Sequence, residues 1–313
     1  VVVIEHLQNR RKMPPHRPTS SRFRRGEGGG SENRKTNTPQ RINGLPMNAP
    51  AAEPLVLPRR EGSVLRLTLN RSGARNALSA SLMAALQDAL DKAAADKALR
   101  VIILAAEGPA FSSGHDLKEL TAHRQDSDKG KKAYADIFAQ CSKLMQTVVR
   151  HPKPVIAQVQ GIATAAGCQL VASCDLAVAS TNARFATPGV NIGLFCSTPM
   201  VALSRNVPRK QTMEMLLTGA MVTPEDAVRI GLINRVVHPD SLDDETLKLA
   251  QLIATKPTRT VKIGKEAFYR QLEMGLSDAY DYASRVMAEN MLEAEAEEGI
   301  GAFVEKREPK WPE

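Results

Sequence analysis

Hydrophobic and polar positions in the first two thirds of the chain follow two periods, and these periods predict strands that alternate with helices. The segment VLRLTL at 64–69 alternates from one side to the other, as a half-buried strand does. Leucines then recur every four residues from Leu78 to Leu90, which predicts one face of a helix whose N-cap is Ser79. The continuous apolar run VIILAA at 101–106 predicts a strand buried on both faces.

The alternation continues as far as residue 180. Two more apolar segments, at 155–160 and 176–179, predict buried strands, and helices are predicted at 131–149 and 165–173. Strands and helices that follow one another in this order are typical of an α/β domain. Beyond residue 200 the pattern becomes mostly helical.

The C-terminal third contains a helix whose two ends are marked by its own residues. Threonine and proline at 223–224 suit an N-cap and a first turn, and Gly231 suits the position after the helix ends. A short strand is predicted at 232–237. Helices are predicted at 241–254 and 258–305.

Three regions follow from these patterns: an α/β core over 54–205, a mostly helical remainder over 206–313, and a disordered basic tail over 1–53. The tail is polar and rich in proline, glycine and serine. It holds ten Lys and Arg against four acidic residues, and therefore most of the net charge of +8. Because the rest of the chain is nearly neutral, nucleic-acid binding by the folded part is disfavoured.

Several features bear on cellular location. We expect Met47 to be the natural start and residues 1–46 to be an upstream extension, which fits a bacterial cytoplasmic protein. The alternative is an Arg- and Ser-rich leader that directs a eukaryotic protein to the mitochondrial matrix. No apolar run approaches the ~18–20 residues of a membrane span, so no membrane partner is expected. The four cysteines lack CxxC spacing, which favours reduced thiols over disulfides or a zinc site.

Two loops of small residues follow buried strands and open helices. They are FSSGHDL at 111–117 and GIATAAGCQ at 161–169. Such loops leave backbone N–H groups unpaired, and the helix N-terminus adds positive potential. Two converging N–H groups form an oxyanion hole, which stabilises charge on a thioester oxygen during reactions at its α- or β-carbon. Tight packing at a strand–helix turn is the alternative interpretation of the same residues.

Seven motifs stand in order along the folded part. They are RNALS at 75–79, AFSSGHDLKEL at 110–120, KPVIAQVQGIATAAGCQLVASCDLAVAS at 153–180, FATPGVNIGL at 185–194, LLTG at 216–219, A-x-x-x-GLINRVV at 227–237 and EGIGAFVEKR at 298–307. Together they resemble the crotonase, or enoyl-CoA hydratase/isomerase, superfamily over about 55–310. The segments SSGHDLKEL, GCQLVASCD and ATPGVNIGLFCSTP resemble one subgroup, the enoyl-CoA hydratase domain-containing protein 3 group.

The resemblance implies a fold, a ligand and an assembly. The fold is α/β, a crotonase (ClpP-like) spiral of ββα turns with a C-terminal helical trimerisation region. The ligand is an acyl-CoA thioester, and the chain is expected to assemble with itself as a homotrimer or hexamer. No cofactor is implied beyond the coenzyme A of the substrate, and no metal.

The resemblance also implies roles for individual residues. The oxyanion donors are the backbone N–H groups of His115 and Ala166, and the family usually has glycine at the second position. The loop whose backbone holds the adenine carries Arg75 and Ala77. The further residues implied in binding coenzyme A are Asp116, Leu117, Lys118, Phe303 and Lys306. The last two belong to a C-terminal pair that often closes over the nucleotide from a neighbouring subunit. The alternatives left open are a helix cap for the aspartate, solvated charges for the lysines and helix packing for the phenylalanine.

Two positions depart from the family pattern. The resemblance places catalytic glutamates where this chain has Gln169 and Gly189. Glutamine exchanges no proton at pH 7 and glycine offers no side chain, and each lost acid or base costs about 10²–10⁴ in rate. We therefore expect weak hydratase or isomerase activity at most, and we expect glutamate at both positions to restore it. The alternatives are a non-catalytic acyl-CoA-binding or regulatory protein of fatty-acid metabolism and, less favoured, an RNA-binding protein.

Other groups near these loops offer proton transfer. The candidates are His115, Asp116, Glu119, Cys196, Ser197 and Thr198. The pKa of histidine suits the task, although the backbone amide of His115 alone accounts for its place in the motif. A buried inert thiol is the alternative for Cys196. Residues 112–116 are too close together to form a hydrolase triad, and the chain has no GxSxG elbow.

Overall fold

The computed structural model describes residues 53–312, and its strands form two sheets. The predicted start at Met47 lies outside these residues, as does the predicted tail apart from Glu53. The larger sheet has the order β1–β2–β3–β5–β7–β9. Its strands are β1 (Val56–Glu61), β2 (Val64–Leu69), β3 (Val101–Ala106), β5 (Val155–Val159), β7 (Leu176–Ser180) and β9 (Arg235–Val237).

Neighbouring strands of the larger sheet are parallel, except that β1 pairs with β2 in the antiparallel direction. Leu67 lies opposite Leu104, and Leu104 lies opposite Ala157. The strands predicted at 64–69 and 101–106 are confirmed, and those at 155 and 176 differ by one residue at their ends.

The smaller sheet contains three short parallel strands. They are β4 (Ala110–Ser112), β6 (Ile162–Thr164) and β8 (Arg184–Ala186). Along the chain β3 is followed by β4, β5 by β6, and β7 by β8, so each turn adds one strand to each sheet. Helices complete the turns, which confirms the predicted spiral of ββα units.

Helices cover both faces of the larger sheet. They are α1 (Ala80–Ala95), α2 (Leu117–Ala122), α3 (Lys131–Arg150), α4 (Ala166–Ser173), α5 (Ser197–Leu203), α6 (Arg209–Thr218), α7 (Pro224–Arg229), α8 (Leu242–Ala254), α9 (Thr258–Gln271), α10 (Leu276–Met291) and α11 (Ala294–Glu305). The leucines of α1 are buried in the main core, and Ser79 caps the helix by accepting a hydrogen bond from the Leu82 amide at 3.2 Å. Among the described helices, none is long and apolar enough to cross a membrane.

The other face of the larger sheet is covered by α8, whose Leu249 and Ala250 join a second core with Ile103 and Ile156. Strand β9 and helix α8 both lie beyond residue 205. The strand is part of the larger sheet, and the helix packs on one face of that sheet. The division at residue 205 stays a prediction.

The last three helices pack on one another, and one buried ion pair ties them to the sheet. The ammonium of Lys265 on α9 lies 2.7 Å from the carboxylate of Asp175, which directly precedes β7. The hydroxyl of Tyr269 donates to the same carboxylate at 2.9 Å. Because Lys265 and Asp175 are both largely buried, this contact fixes α9 against the core.

Candidate active site

The carboxyl ends of β4, β6 and β8 meet at one edge of the smaller sheet, because the three strands are parallel. The chain leaves this edge through three loops, at 113–116, 165–166 and 187–196. The first two continue into α2 and α4, and the third leads to α5. Both small-residue loops singled out in the sequence therefore lie here, together with a third.

The first two loops touch through glycine. A β-carbon on Gly114 would lie 2.8 Å from the Cβ of Ala165 and 3.2 Å from the amide nitrogen of Ala166. The φ of Gly114, +91°, is also one that other residues rarely adopt. A β-carbon on Gly167 would overlap the carbonyl oxygen of Ser112. Glycine at both contacts brings the two loops together.

The backbone N–H groups of His115 and Ala166 have no internal acceptor. Neither donates a hydrogen bond to any residue within 53–312. Ala166 is the first residue of α4, so its amide lies at the positive end of that helix. Ala165, directly before it, has φ 50° and ψ −120°, a conformation that costs about 1–3 kcal/mol for a residue with a β-carbon. The strained turn presents the Ala166 amide beside Gly114.

The RNALS loop is bonded to the same edge of the smaller sheet. Arg75 and Asn76 both have positive φ, 52° and 50°. The carbonyl of Arg75 accepts from the Ser113 amide at 3.0 Å, and the Asn76 side chain donates to the Ala110 carbonyl at 2.8 Å. Ala77 is buried. The backbone of this loop is therefore fixed against the first of the three site loops.

Asp116 and Glu119 are both occupied by structural contacts. The Asp116 carboxylate lies 2.7 Å from Arg71 and caps α2 by accepting from the amides of Lys118 and Glu119 at 3.0 and 3.2 Å. Burial pushes the pKa of Asp116 upward, but the Arg71 and amide hydrogen bonds outweigh it and hold the pKa below its usual value. The Glu119 carboxylate accepts from the Ala80 amide at 3.0 Å. Both carboxylates hold loops in place.

Three polar side chains, one associated with each loop, have buried atoms without a hydrogen-bond partner. Both ring nitrogens of His115, the Oε1 atom of Gln169 and the Oγ1 atom of Thr187 lack a hydrogen-bond partner among the described residues. The His115 ring meets the ring of Phe138 edge to face, with centroids 5.2 Å apart. Because buried polar groups are normally paired, these atoms mark a place where a ligand or water completes the bonding.

The Gly189 position has no room for a side chain. A β-carbon there would overlap the carbonyl oxygen of Leu194 and lie 2.8 Å from the Sγ atom of Cys196. The Leu194 amide donates to the Gly189 carbonyl at 2.9 Å, which holds the loop closed. A glutamate at Gly189 would require the 194–196 backbone to move. The expectation that glutamate at both positions restores activity stays a prediction, and this geometry disfavours its second half.

The remaining proton-transfer candidates differ in exposure. Cys196 is buried, and burial raises the pKa of its thiol; burial likewise raises the pKa of the Cys168 thiol to about 12. Both thiols therefore stay protonated at neutral pH. Ser197 is exposed at the start of α5, and Thr198 follows it half-buried.

The predicted nucleotide-binding side chains lie in two places. Leu117 and Lys118 are exposed at the start of α2, directly after the loop that carries His115. Phe303, which is 84% exposed, and Lys306 lie at the end of α11. Among the described residues, no hydrogen bond or ion pair joins either of these two to the three site loops.

The site's arrangement can be compared with known proteins. The enoyl-CoA hydratase/isomerase family model matches residues 59–313. The chain belongs to the enoyl-CoA hydratase/isomerase family. It is 47% identical to the enoyl-CoA hydratase domain-containing protein 3, mitochondrial, of Rattus norvegicus, over 84% of this chain and 86% of that protein. With the Xenopus laevis protein of the same name the identity is 49%, over 82% and 86%. The resemblance to this subgroup is confirmed.

Solved structures of the enoyl-CoA hydratase/isomerase family agree with the fold. An enoyl-CoA hydratase of Mycobacterium smegmatis superposes with a TM-score of 0.79 and is 52% identical, over 83% of this chain and 99% of that one. The human enoyl-CoA hydratase domain-containing protein 3 has a TM-score of 0.78 and 47% identity, over 82% and 100%.

Two residues of this family site were not found from the sequence. The sequence around Thr187 indicates only a turn, because a proline follows the threonine. Phe138 lies on a predicted amphipathic helix, where a single phenylalanine indicates only packing. The unpaired hydroxyl of Thr187 and the ring contact of Phe138 appear only when the loops are assembled.

Proposed function

We propose that this protein binds an acyl-CoA thioester with the thioester oxygen between the amides of His115 and Ala166. The main support is that these two amides lie on loops that contact each other and donate no hydrogen bond within the described residues. An oxyanion that develops on the thioester would accept from both and be stabilised. Coenzyme A enters as part of the substrate, and the site uses no separate cofactor or metal. No group of three metal-ligating side chains occurs among the described residues.

The adenine and the phosphates are assigned by position. The backbone of the RNALS loop, including Arg75 and Ala77, would hold the adenine, and Lys118 would face the phosphates from the start of α2. Phe303 and Lys306 would close over the nucleotide of a neighbouring subunit, which accounts for the high exposure of Phe303 within one chain.

Replacing Ala166 by proline tests the oxyanion assignment. Proline removes the amide hydrogen at the first position of a helix. Because Ala165 has φ 50° and ψ −120° rather than the extended conformation favoured before proline, the melting temperature of the variant is measured beside its turnover. We expect turnover of crotonyl-CoA to fall about 10²–10³-fold. Ala294→Pro, the same change at the first position of α11, is the matched control and should leave turnover unchanged. Equal rates for Ala166→Pro and wild type would remove the assignment.

The reaction is proposed to be weak hydration or isomerisation of an enoyl-CoA. A non-catalytic acyl-CoA-binding or regulatory role in fatty-acid metabolism is the second candidate, and the neutral Gln169 and the closed Gly189 position favour it. Isothermal titration with crotonyl-CoA, beside a spectrophotometric hydration assay of the same preparation, separates the two. Binding without turnover supports the second candidate.

Self-assembly as a homotrimer or hexamer completes the proposal. The C-terminal helices expose large apolar side chains within one chain; they include Phe268, Leu272, Leu276, Tyr280, Met287, Met291 and Leu292. Burying such a surface between copies is favourable. Light scattering tests this, and a mass of 34.0 kDa, that of one chain, would contradict it. The mitochondrial names of the vertebrate relatives favour the mitochondrial matrix for a eukaryotic source, and the cytoplasm remains the proposal for a bacterial one.

A further inference from the structure

Proton transfer at this site has few available groups. Asp116 is paired with Arg71 and caps α2, and Glu119 is bonded to the Ala80 amide. Gln169 and Thr187 are neutral at any ordinary pH. The buried thiols stay protonated, as described above. Apart from these thiols, two titratable side chains of the three loops and the first turn of α2 have no structural partner, those of His115 and Lys118. Lys118 is exposed, whereas both ring nitrogens of His115 are buried.

His115 also lies close to any thioester held in the oxyanion hole. Its amide is one of the two donors, and a donor nitrogen lies about 2.9 Å from the oxygen that it binds. The α-carbon is two bonds from that oxygen. A thioester oxygen bound by that amide therefore brings the α-carbon within a few ångströms of the His115 backbone, and the unpaired imidazole belongs to the same residue. The Phe138 ring packs edge to face against this imidazole, with centroids 5.2 Å apart.

We propose that the imidazole of His115 is the base that takes the α-proton of a bound acyl-CoA. This rests on the proposed function. The Cα–H bond breaks, an N–H bond forms on the imidazole, and the electron pair moves to the thioester oxygen between the amides of His115 and Ala166. Return of the proton from the imidazolium to Cα restores the acyl-CoA, so the step balances without a second acid. The site is thus suited to one-base chemistry at Cα and poorly suited to adding water across a double bond, which uses two carboxylates.

The surroundings keep the imidazole unprotonated at neutral pH. Burial lowers the pKa of His115, and the nearby Leu78 carbonyl, which forms no hydrogen bond of normal geometry with either ring nitrogen, opposes this in part. The charged groups on the adjoining elements are engaged or exposed: Asp116 pairs with Arg71, and Lys118 lies in solvent. On α3 the ring faces the uncharged Phe138. The neutral form therefore dominates at pH 7, as a general base requires.

Deuterium exchange measures this step directly. The full-length protein is incubated with butyryl-CoA in D₂O, and incorporation at Cα is followed by mass spectrometry. Butyryl-CoA has no double bond, so hydration cannot contribute. His115→Gln keeps the backbone amide and removes the base, and we expect exchange to fall by about 10²-fold or more while the Kd for butyryl-CoA stays within about threefold. His123→Gln, an exposed histidine paired with Asp126, is the matched control and should exchange like wild type.

The pH dependence of the exchange rate distinguishes a base from a residue that only stabilises the fold. Exchange by wild type should rise with pH through an apparent pKa below 6.5 and then level off. Phe138→Ala admits water to the ring and should shift this limb to higher pH. An unchanged exchange rate in His115→Gln, or binding without any exchange in wild type, would overturn the inference and leave the binding proposal standing. Failure of wild type to bind butyryl-CoA would instead overturn the proposed function.

Discussion

Adding a β-carbon at Gly189 tests whether the 187–196 loop has closed over the place of the family's second glutamate. In Gly189→Ala the new carbon would overlap the Leu194 carbonyl and lie 2.8 Å from the Cys196 sulfur. Overpacking of this kind lowers the free energy of unfolding by about 1–3 kcal/mol. Alanine also makes the unfolded chain less flexible than glycine does, which raises the free energy of unfolding by about 0.4–1 kcal/mol. We therefore expect a net loss of about 1–2 kcal/mol. For a domain of this size that lowers the melting temperature by about 3–6 °C.

The melting temperature is measured by circular dichroism, with urea unfolding as a second measure. Cys196→Ala in the Gly189→Ala background relieves the sulfur contact and leaves the Leu194 contact, so it should recover part of the loss. Gly264→Ala is the matched control, because a β-carbon there meets nothing within 4 Å, and alanine favours the helix. If Gly189→Ala has the same melting temperature as wild type, the 187–196 loop opens freely. A carboxylate side chain could then fit at this position.

Four further results are expected. Gln169→Glu should raise crotonyl-CoA hydration by about 10²-fold or more in a stopped assay, and adding Gly189→Glu should bring no further gain; a gain would contradict the steric argument. Gly114→Ala should lower the melting temperature and weaken acyl-CoA binding in calorimetry, because its β-carbon would enter the oxyanion turn; wild-type binding would refute this. Lys265→Met should cost about 3–5 kcal/mol in urea unfolding, since it leaves the Asp175 carboxylate buried without its partner; a loss below about 1 kcal/mol would refute it. Stability should fall as pH drops below about 6.5, because burial lowers the folded-state pKa of His115 and His151 while the unfolded chain takes up protons near 6.5; equal unfolding free energies at pH 7 and pH 5 would exclude it.

The long strands and helices could be predicted from the sequence, because burial of one face places apolar residues at regular intervals along them. The strands at 64–69 and 101–106 and the helix capped by Ser79 carry this signal. The helix predicted over 258–305 proved to be three, with breaks near Gly275 and Leu292.

The smaller sheet could not be predicted in the same way. Strands β4, β6 and β8 have three residues each, which is too short for alternation to show. From the sequence pattern, loops are predicted for the first two and no regular element for the third. The two small-residue loops could be predicted to open helices, because small residues between a strand and a helix carry that signal locally, and their role as an oxyanion hole stays a prediction. The closed Gly189 position carried none, since it depends on where Leu194 and Cys196 return in space.

The pairing of the smaller sheet has a consequence for how the protein folds. Ala110 pairs with Ile162, and Ile162 pairs with Arg184, so the edge that carries the three loops joins segments far apart in the chain. Parallel pairings of this range form slowly, because a long loop must be closed before any contact compensates for it. The pocket is complete only after the 187–196 loop has joined the first two. A ligand that binds at these three loops would therefore stabilise only the finished fold, by mass action, and not a chain still emerging from the ribosome.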